Sequence, residues 1–368
     1  MQLATSSSRH RAGIYYWKCD RPAAFHGTLE NRHPETCLDP LREVLSGCFP
    51  GKEVALRPLG GQGNHLTFRA TVGGENYFVR VEDGPERDDY IAVESRILDD
   101  VRALGLPAPH VIAADASRAQ APFAWQVLEN IAAPDLNQLL KQGALDLPES
   151  AEAIGRAVAR WQAIRPPGFG PFDSGVLCRV GCVQGFHADY ASYFFLHLDR
   201  HLDFLADRNF LGRTVCGKMR AEIDRHRDLL DLPHGCLVHK DLALWNILGT
   251  EREILAFIDW DDAISGDPMD DLSLLGCFYD GSVLARALRG YASVRPLPDE
   301  FRRRFWLHLL RNMIVKAVIR VGAGYFERGE EFFLIGADSS GPDLKHFTQE
   351  RLALALHGLE TNADITIL

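Results

Sequence analysis

The sequence predicts an α+β protein in two unequal parts, an antiparallel sheet carrying one helix and then a larger helical part. Three observations predict it. Between residues 54 and 129 apolar residues alternate with polar ones between Gly-rich turns. One segment inside that stretch, DYIAVESRILDDVRALG, has the period of a helix instead. Beyond Glu129 helical patterns dominate, and the convincing strands flank a single polar motif.

Taken in order, residues 1–38 are rich in Ser, Arg, His and Pro and show no sustained period, so they read as a flexible extension. The sheet-bearing lobe is expected over 39–130 and the helical lobe over 131–368. In ALRPLGGQGNHLTFRATVGGENYFVRVE, Leu66, Phe68 and Ala70 alternate with Thr67, Arg69 and Thr71. Gly73-Gly74 signals a two-residue hairpin, and Tyr77–Val81 a further strand. The helix after it carries Ile91, Ile97, Leu98, Val101 and Leu104 on one face, and Gly105 with Pro107 ends it. Two more strands are expected at His110–Ala114 and Phe123–Leu128. In the second half, helices are expected at 149–164, 187–207, 214–230, 281–292 and 299–323. A cleft between two such lobes is a preferred place for a ligand.

Bulk properties narrow the function. The chain has 368 residues, 46% hydrophobic and 24% charged, with a formal charge of -10. That charge argues against non-specific nucleic-acid binding and suits a cationic ligand. Eight cysteines without a CxxC pair read as free thiols of a reducing cytosol. No apolar run approaches the ~20 residues that span a bilayer. The expected location is therefore the cytoplasm, with no membrane partner, as a monomer or a dimer.

The chemistry is concentrated in HKDLALWN, from His239, and FIDWDD, from Phe257. Phosphoryl transfer from ATP or GTP needs a carboxylate beside the attacking hydroxyl and hard oxygen ligands for Mg2+. Asp241 can orient the hydroxyl and take its proton. Asn246 offers an amide oxygen and Asp259 a carboxylate to the metal. The intervening NILG-TERE-ILAFID reads as a hairpin that brings Asn246 and Asp259 together. Taken singly, each of these residues would serve as a turn cap; their joint spacing is what points to catalysis.

HxDxxxxN followed by IDW-D, and then by SGDPMDDLS, resembles the aminoglycoside phosphotransferase and choline-kinase family, small-molecule relatives of the protein kinases. The resemblance runs from Leu56 to the late 320s and implies a two-lobed protein-kinase-like fold. It implies Asp241 as the catalytic aspartate, Asn246 and Asp259 as metal ligands, Asp261 as a second acid serving metal or acceptor, and Asp271 as a structural brace of the loop. His239 is expected to bond the loop backbone. It makes LGGQGN a phosphate-covering turn, with Gly61, Gly63 and Asn64 at the nucleotide. It also places adenine against the backbone of Glu129 to Ile131. Relatives of this type hold the phosphates with a Lys paired to a helical Glu; here the strand carries Arg80, with Glu94 as its partner. Arg is a planar fork and Lys a point charge, so altered geometry is expected; the alternative is a solvated Arg80. Lys240 either reaches the terminal phosphate or points to solvent.

The acceptor is less legible. Asp262, Asp267, Asp270 and Asp280 follow the motif and suit a cationic acceptor such as an aminoglycoside, or else form a solvated acidic face. GFGPF, at 168–172, is shared with relatives resembling hygromycin phosphotransferases, and is also a good loop sequence. Tyr190, Tyr193, Phe194 and Phe195 read as helix core or as a shelf for a sugar ring. The basic start and apolar body of EFRRRFWLHLLRNMIVKAVIRV read as lobe core. The expectation is a kinase acting on a hydroxyl of an antibiotic or related natural product, conferring resistance or self-protection. The alternatives are a kinase of a sugar, homoserine or choline-like amine, and a pseudokinase that binds nucleotide with little turnover. A protein kinase is disfavoured because DFG and APE motifs are missing.

Overall fold

A computed structural model describes residues 34–60, 65–83, 89–329, 332, 334–335 and 339–368. The first helix, α1 (Glu35–Cys48), has no counterpart in the sequence reading. It is followed by strands β1 (Val54–Leu59), β2 (Leu66–Val72) and β3 (Glu75–Glu82). Helix α2 (Tyr90–Ala103) then leads to β4 (Val111–Asp115) and β5 (Ala124–Glu129). The five strands form one antiparallel sheet in the order β1-β2-β3-β5-β4. Gly73 and Gly74 both take positive φ, 58° and 95°, which a tight two-residue hairpin demands. That turn sets the register Val72↔Glu75 and so Thr67↔Arg80.

The sheet has its own core. Leu41, Val44 and Leu45 of α1 pack with Phe68, Ala70, Val79, Val81, Trp125 and Val127. By contrast Tyr90, Val93, Ile97, Leu98 and Val101 of α2 merge with the core of the helical part. Thus α2 packs on β4 and β5 of the sheet, as a sheet-borne helix should, while its apolar face also joins the core of the helical part.

That body contains α3 (Leu136–Lys141), α4 (Leu147–Trp161), β6 (Phe169–Phe172), α5 (Ser174–Val180) and β7 (Gly185–His187). Next come α6 (Tyr190–Phe194), α7 (Leu198–Asp207), α8 (Arg213–Arg225), β8 (Cys236–Val238), β9 (Ile247–Gly249) and β10 (Ile254–Phe257). The chain finishes with β11 (Ile264–Gly266), α9 (Asp270–Gly276), α10 (Gly281–Ala292), α11 (Phe301–Gly322) and α12 (Gly341–Thr361). The helix expected at 187–207 is two helices, because His197 takes a left-handed φ of 58° between them. GFGPF is largely strand β6 rather than loop, paired with β7 and β11. Tyr190, Tyr193 and Phe194 are buried core residues.

Two features fix the scaffold under the site. Helices α4 and α10 touch backbone to backbone. A Cβ on Gly155 would lie 1.9 Å from the Ala287 carbonyl oxygen, and one on Gly290 2.0 Å from that of Glu152. Trp161, at the end of α4, packs edge-on to Phe257 and Trp260, and its indole N–H donates to Asp271 at 3.1 Å. No helix among the described residues is long and apolar enough to cross a membrane.

Candidate active site

The motif from His239 to Asn246 leaves β8 as a loop pinned from beneath. The Asp271 carboxylate accepts the backbone N–H groups of His239 (3.0 Å) and Lys240 (3.1 Å) besides the Trp161 indole. Burial pushes the Asp271 pKa up to about 7, and these backbone donors pull against it by favouring the charged form. Lys240 is held at φ 68°, an uncommon conformation for a residue with a Cβ. His239 is fully buried, and that burial lowers its pKa and keeps the ring neutral. Its Nε2 lies 2.9 Å from the Ile258 carbonyl, while Nδ1 accepts the Asp241 N–H at 3.3 Å. A neutral ring satisfies both only with its proton on Nε2. His239 therefore ties the loop to the end of β10, as expected for a backbone-bonding residue.

Asp241 follows. One carboxylate oxygen lies 2.8 Å from Lys316 Nζ, and the other accepts from Asn246 Nδ2 at 3.0 Å. Asn246 Nδ2 also donates to the Asp241 carbonyl at 2.8 Å. This orientation leaves the amide oxygen of Asn246 for another ligand. Strands β9 and β10 pair antiparallel, with Phe257↔Ile247 in register. The Ile258 N–H then donates to the Asn246 carbonyl at 3.0 Å, so Asp259 emerges beside Asn246. The hairpin thus brings the two together.

Across the cleft, Arg80 on β3 is 7% exposed and forks. Nη1 donates to Glu94 of α2 at 2.5 Å, and Nη2 to Asp259 at 3.1 Å. Arg80 is thereby a buried, paired residue and not a solvated one. Glu94 also accepts the Trp260 N–H at 3.2 Å. His65, at the edge of β2, lies 3.2 Å from Asp261, which is a second link between sheet and helical body. Asp259 has its pKa pushed up to about 8, by burial first and by neighbouring Asp261 second, against the pull of Arg80. Water in the cleft reaches 41% of its side chain and screens part of that repulsion. What remains is a carboxylate that gains from a nearby cation.

These groups border one cleft of about 530 Å³. Its inner wall is polar, with Arg80, Glu94, Asp241, Asn246, Asp259, Asp261 and Asp262. One end is apolar, bounded by Phe78, Leu98, Leu128, Leu248 and Ile258, and it meets Glu129 and Ile131. The Ile131 N–H donates to no group among the described residues, while its carbonyl accepts from Ala133 at 3.0 Å. Trp245, Phe278, Lys316, Arg320 and Tyr325 also line it, with Lys316 held against Asp241. Gly61, Gly63 and Asn64 lie outside the described residues.

The helical-lobe acids need correction. Asp267 does not border the cleft and cannot meet an acceptor there. It is fully buried, with Arg304 at 2.5 Å and His308 at 3.5 Å. Burial opposes its ionisation, but His308 and Arg304 outweigh that and hold its pKa below the ordinary carboxylate range. Asp270 is likewise buried, against Lys240 at 2.8 Å and Asn312 at 2.8 Å. Asp280 caps α10 through the Ser282 and Val283 N–H groups. Lys240 takes neither expected direction, because its ammonium turns inward onto Asp270. The sequence reading missed Lys316, Arg320 and His65. Two cations four apart inside the apolar run MIVKAVIRV were the available signal for the first two.

The phosphotransferase enzyme family, APH, matches residues 55–306. The chain belongs to this family. As an APH-family enzyme it is a phosphotransferase acting on hydroxyl acceptors, with a mixed α+β, protein-kinase-like fold. Among solved structures, aminoglycoside phosphotransferase APH(4)-Ia is similar at 17% identity, over 87% of this chain and 98% of that one, with a TM-score of 0.61. A thermostable mutant of it, in ternary complex with AMP-PNP and hygromycin B, is similar at 18% identity, over 86% and 98%, with a TM-score of 0.61. A fructosamine-3-kinase candidate from Thermobifida fusca is similar at 21% identity, over 84% and 98%, with a TM-score of 0.57. At such identities the likeness establishes the fold. No curated protein matches the chain.

Proposed function

We propose that this APH-family enzyme transfers the terminal phosphoryl group of ATP or GTP to a hydroxyl of a small natural product, in the way of an antibiotic-modifying kinase. The observation that carries this reading is the gathering of Asp241, Asn246 and Asp259 on the wall of one cleft faced by the Arg80–Glu94 pair. The solved complex with AMP-PNP and hygromycin B supports a small natural product as the acceptor class, without fixing its charge.

The nucleotide base fits the apolar end, with the Ile131 N–H as its donor. Arg80 faces the phosphates. Among the described residues no group of three or more His, Cys, Asp or Glu is arranged to hold a metal. A single carboxylate, Asp259, and one amide oxygen, of Asn246, suit Mg2+, which keeps waters and phosphate oxygens in its other positions. When bound, the ion would neutralise charge on the phosphates. Asp241 accepts the proton of the acceptor hydroxyl as its oxygen bonds to phosphorus. The bond from phosphorus to the bridging oxygen breaks, and the nucleoside diphosphate leaves. Positioned proton transfer of this kind contributes about 100- to 10,000-fold.

Asp241→Asn keeps the shape and removes the base. Transfer to any acceptor that the wild type modifies should fall by about 100-fold or more, with Mg-nucleotide affinity retained. Undiminished transfer by the variant would refute the assignment. The antibiotic class is tested separately, by mass spectrometry for a single added phosphate across an antibiotic panel.

A further inference from the structure

The acceptor side of the cleft carries the opposite charge to the one its nearby acids suggest. Helix α11 is apolar over most of its length, with Met313, Ile314, Ala317 and Val318 fully buried. On this core helix Lys316 and Arg320 stand one turn apart and both border the cleft. Lys316 is 19% exposed, pairs with Asp241, and lies 5.5 Å from the centre of the Phe278 ring.

Arg320 is the more telling residue. It is 1% exposed. Nη1 donates to the Thr348 hydroxyl at 2.8 Å, and Nε has no acceptor. No carboxylate among the described residues lies within ion-pair distance of it; its neighbours are the Phe278 ring, whose centre is 5.9 Å from the guanidinium carbon, Tyr325, and another cation, Arg351 of α12. Burial, with no compensating carboxylate among the described residues, brings its pKa down to about 10. A buried, unpaired charge is among the most destabilising features a fold can hold. Its presence at a cleft wall is accounted for when a ligand supplies the missing anion. Trp245, Phe278 and Tyr325 border the same end, with Trp245 packed edge-on against Phe278 at 4.8 Å. They offer flat apolar surface beside the two cations.

We infer that the acceptor is an anionic hydroxy compound: its carboxylate, phosphate or sulfate oxygens meet Arg320 and Lys316, its body lies against Trp245, Phe278 and Tyr325, and its hydroxyl reaches Asp241. This deepens the kinase reading and rests on it for the role of Asp241. It runs against a polycationic acceptor, for which Arg320 would be a repulsive wall. Of the four acids expected to receive such a polycation, Asp267, Asp270 and Asp280 are committed to internal partners, and Asp262 alone borders the cleft.

The test uses the full chain and two probes of nearly equal shape, para-(hydroxymethyl)benzoate and para-(hydroxymethyl)benzylamine. Each is titrated by saturation-transfer NMR, with Mg-AMP-PNP present and without it. The benzoate should bind more tightly than the amine. Arg320→Gln should weaken the benzoate about tenfold or more, as the loss of one charge-assisted bond does, and leave the amine unchanged. Arg320→Lys should fall between. The preference of the wild type decides independently if the Gln variant fails to fold. Equal or tighter amine binding, no benzoate binding, or benzoate binding untouched in Arg320→Gln overturns the inference. Displacement of benzoate by Mg-AMP-PNP also overturns it, by giving the two cations to the nucleotide's own terminal phosphate. If the protein binds no nucleotide yet still selects the benzoate, the kinase reading fails and the anion site stands.

Discussion

Replacing Arg80 by Met removes the one cation that Glu94 and Asp259 share. Glu94 is 2% exposed and would be left as a buried carboxylate facing a methyl group. Removing one partner of a buried pair typically costs about 3–5 kcal/mol. The pH dependence says whether that figure has the proposed origin. Burial already raises the Glu94 pKa and Arg80 is the strongest influence holding it down, so the substitution raises it further. An acid with a raised folded pKa binds more protons folded than unfolded. Its destabilising effect is therefore absent below the unfolded value of about 4.3 and grows as pH rises toward the folded value. Each pH unit by which the loss of Arg80 raises the folded Glu94 pKa widens the gap by about 1.4 kcal/mol once pH has passed it. Asp259, which also loses Arg80, shifts in the same direction. The assay is urea unfolding of wild type and Arg80→Met, followed by tryptophan fluorescence at intervals from pH 5 to 8. The gap between them should be small at pH 5 and widen steadily. A gap of constant size, or one below about 1 kcal/mol throughout, would refute the buried pair as the source of the loss.

Three further outcomes are expected. Because the raised pKa of Asp259 must be overcome before it meets a cation, Mg-dependent nucleotide affinity should rise with pH and level off near pH 8; calorimetric titration should find that rise missing in Asp259→Asn. Lys240→Met leaves Asp270, fully buried, without its cation and should lower stability by about 3 kcal/mol in urea unfolding, whereas a solvent-pointing Lys240 would give no change. Gly155→Ala drives a methyl into the Ala287 carbonyl and should cost about 2 kcal/mol or more, while Gly217→Ala, exposed on α8 with open space around it, should gain up to about 1 kcal/mol by thermal unfolding.

What the sequence disclosed and what it concealed divide by range of interaction. Gly73-Gly74 announced its hairpin because the backbone requirement is local to those two residues. HKDLALWN and FIDWDD announced the site for a similar reason, since a short hairpin closes the distance between Asn246 and Asp259. The acidic run misled. Asp267 looks like a surface charge in SGDPMDD, yet its partners Arg304 and His308 lie some forty residues on, in α11. Lys240 looked free for the same reason, because Asp270 lies thirty residues away. Local reading gives the residue types, and long-range pairing decides which of them still carry charge into the cleft. Helix α1 was hidden by Pro40 within it, a residue that helix interiors seldom tolerate.

The distribution of cores gives the Arg substitution its meaning. Arg80 of β3 and Glu94 of α2 both belong to the sheet-bearing part, where α2 packs on β4 and β5, whereas Asp259 follows β10 in the helical part. The Arg80 fork therefore ties Glu94 of its own part to Asp259 of the helical part, and His65 reaches Asp261 at a further point across the same divide. A Lys in this position offers a single nitrogen on a flexible stem, so it could serve Glu94 only by loosening its hold on Asp259. Arg80 bonds Asp259 and Glu94 at once and so offsets the repulsion among the acids of the cleft wall. On the proposed kinase reading, Asn246 and Asp259 are the residues that would hold a cation, and phosphate oxygens would compete with Asp259 for Nη2. If that reading holds, Arg80 would couple phosphate binding to the freeing of Asp259, which Arg80→Lys should uncouple.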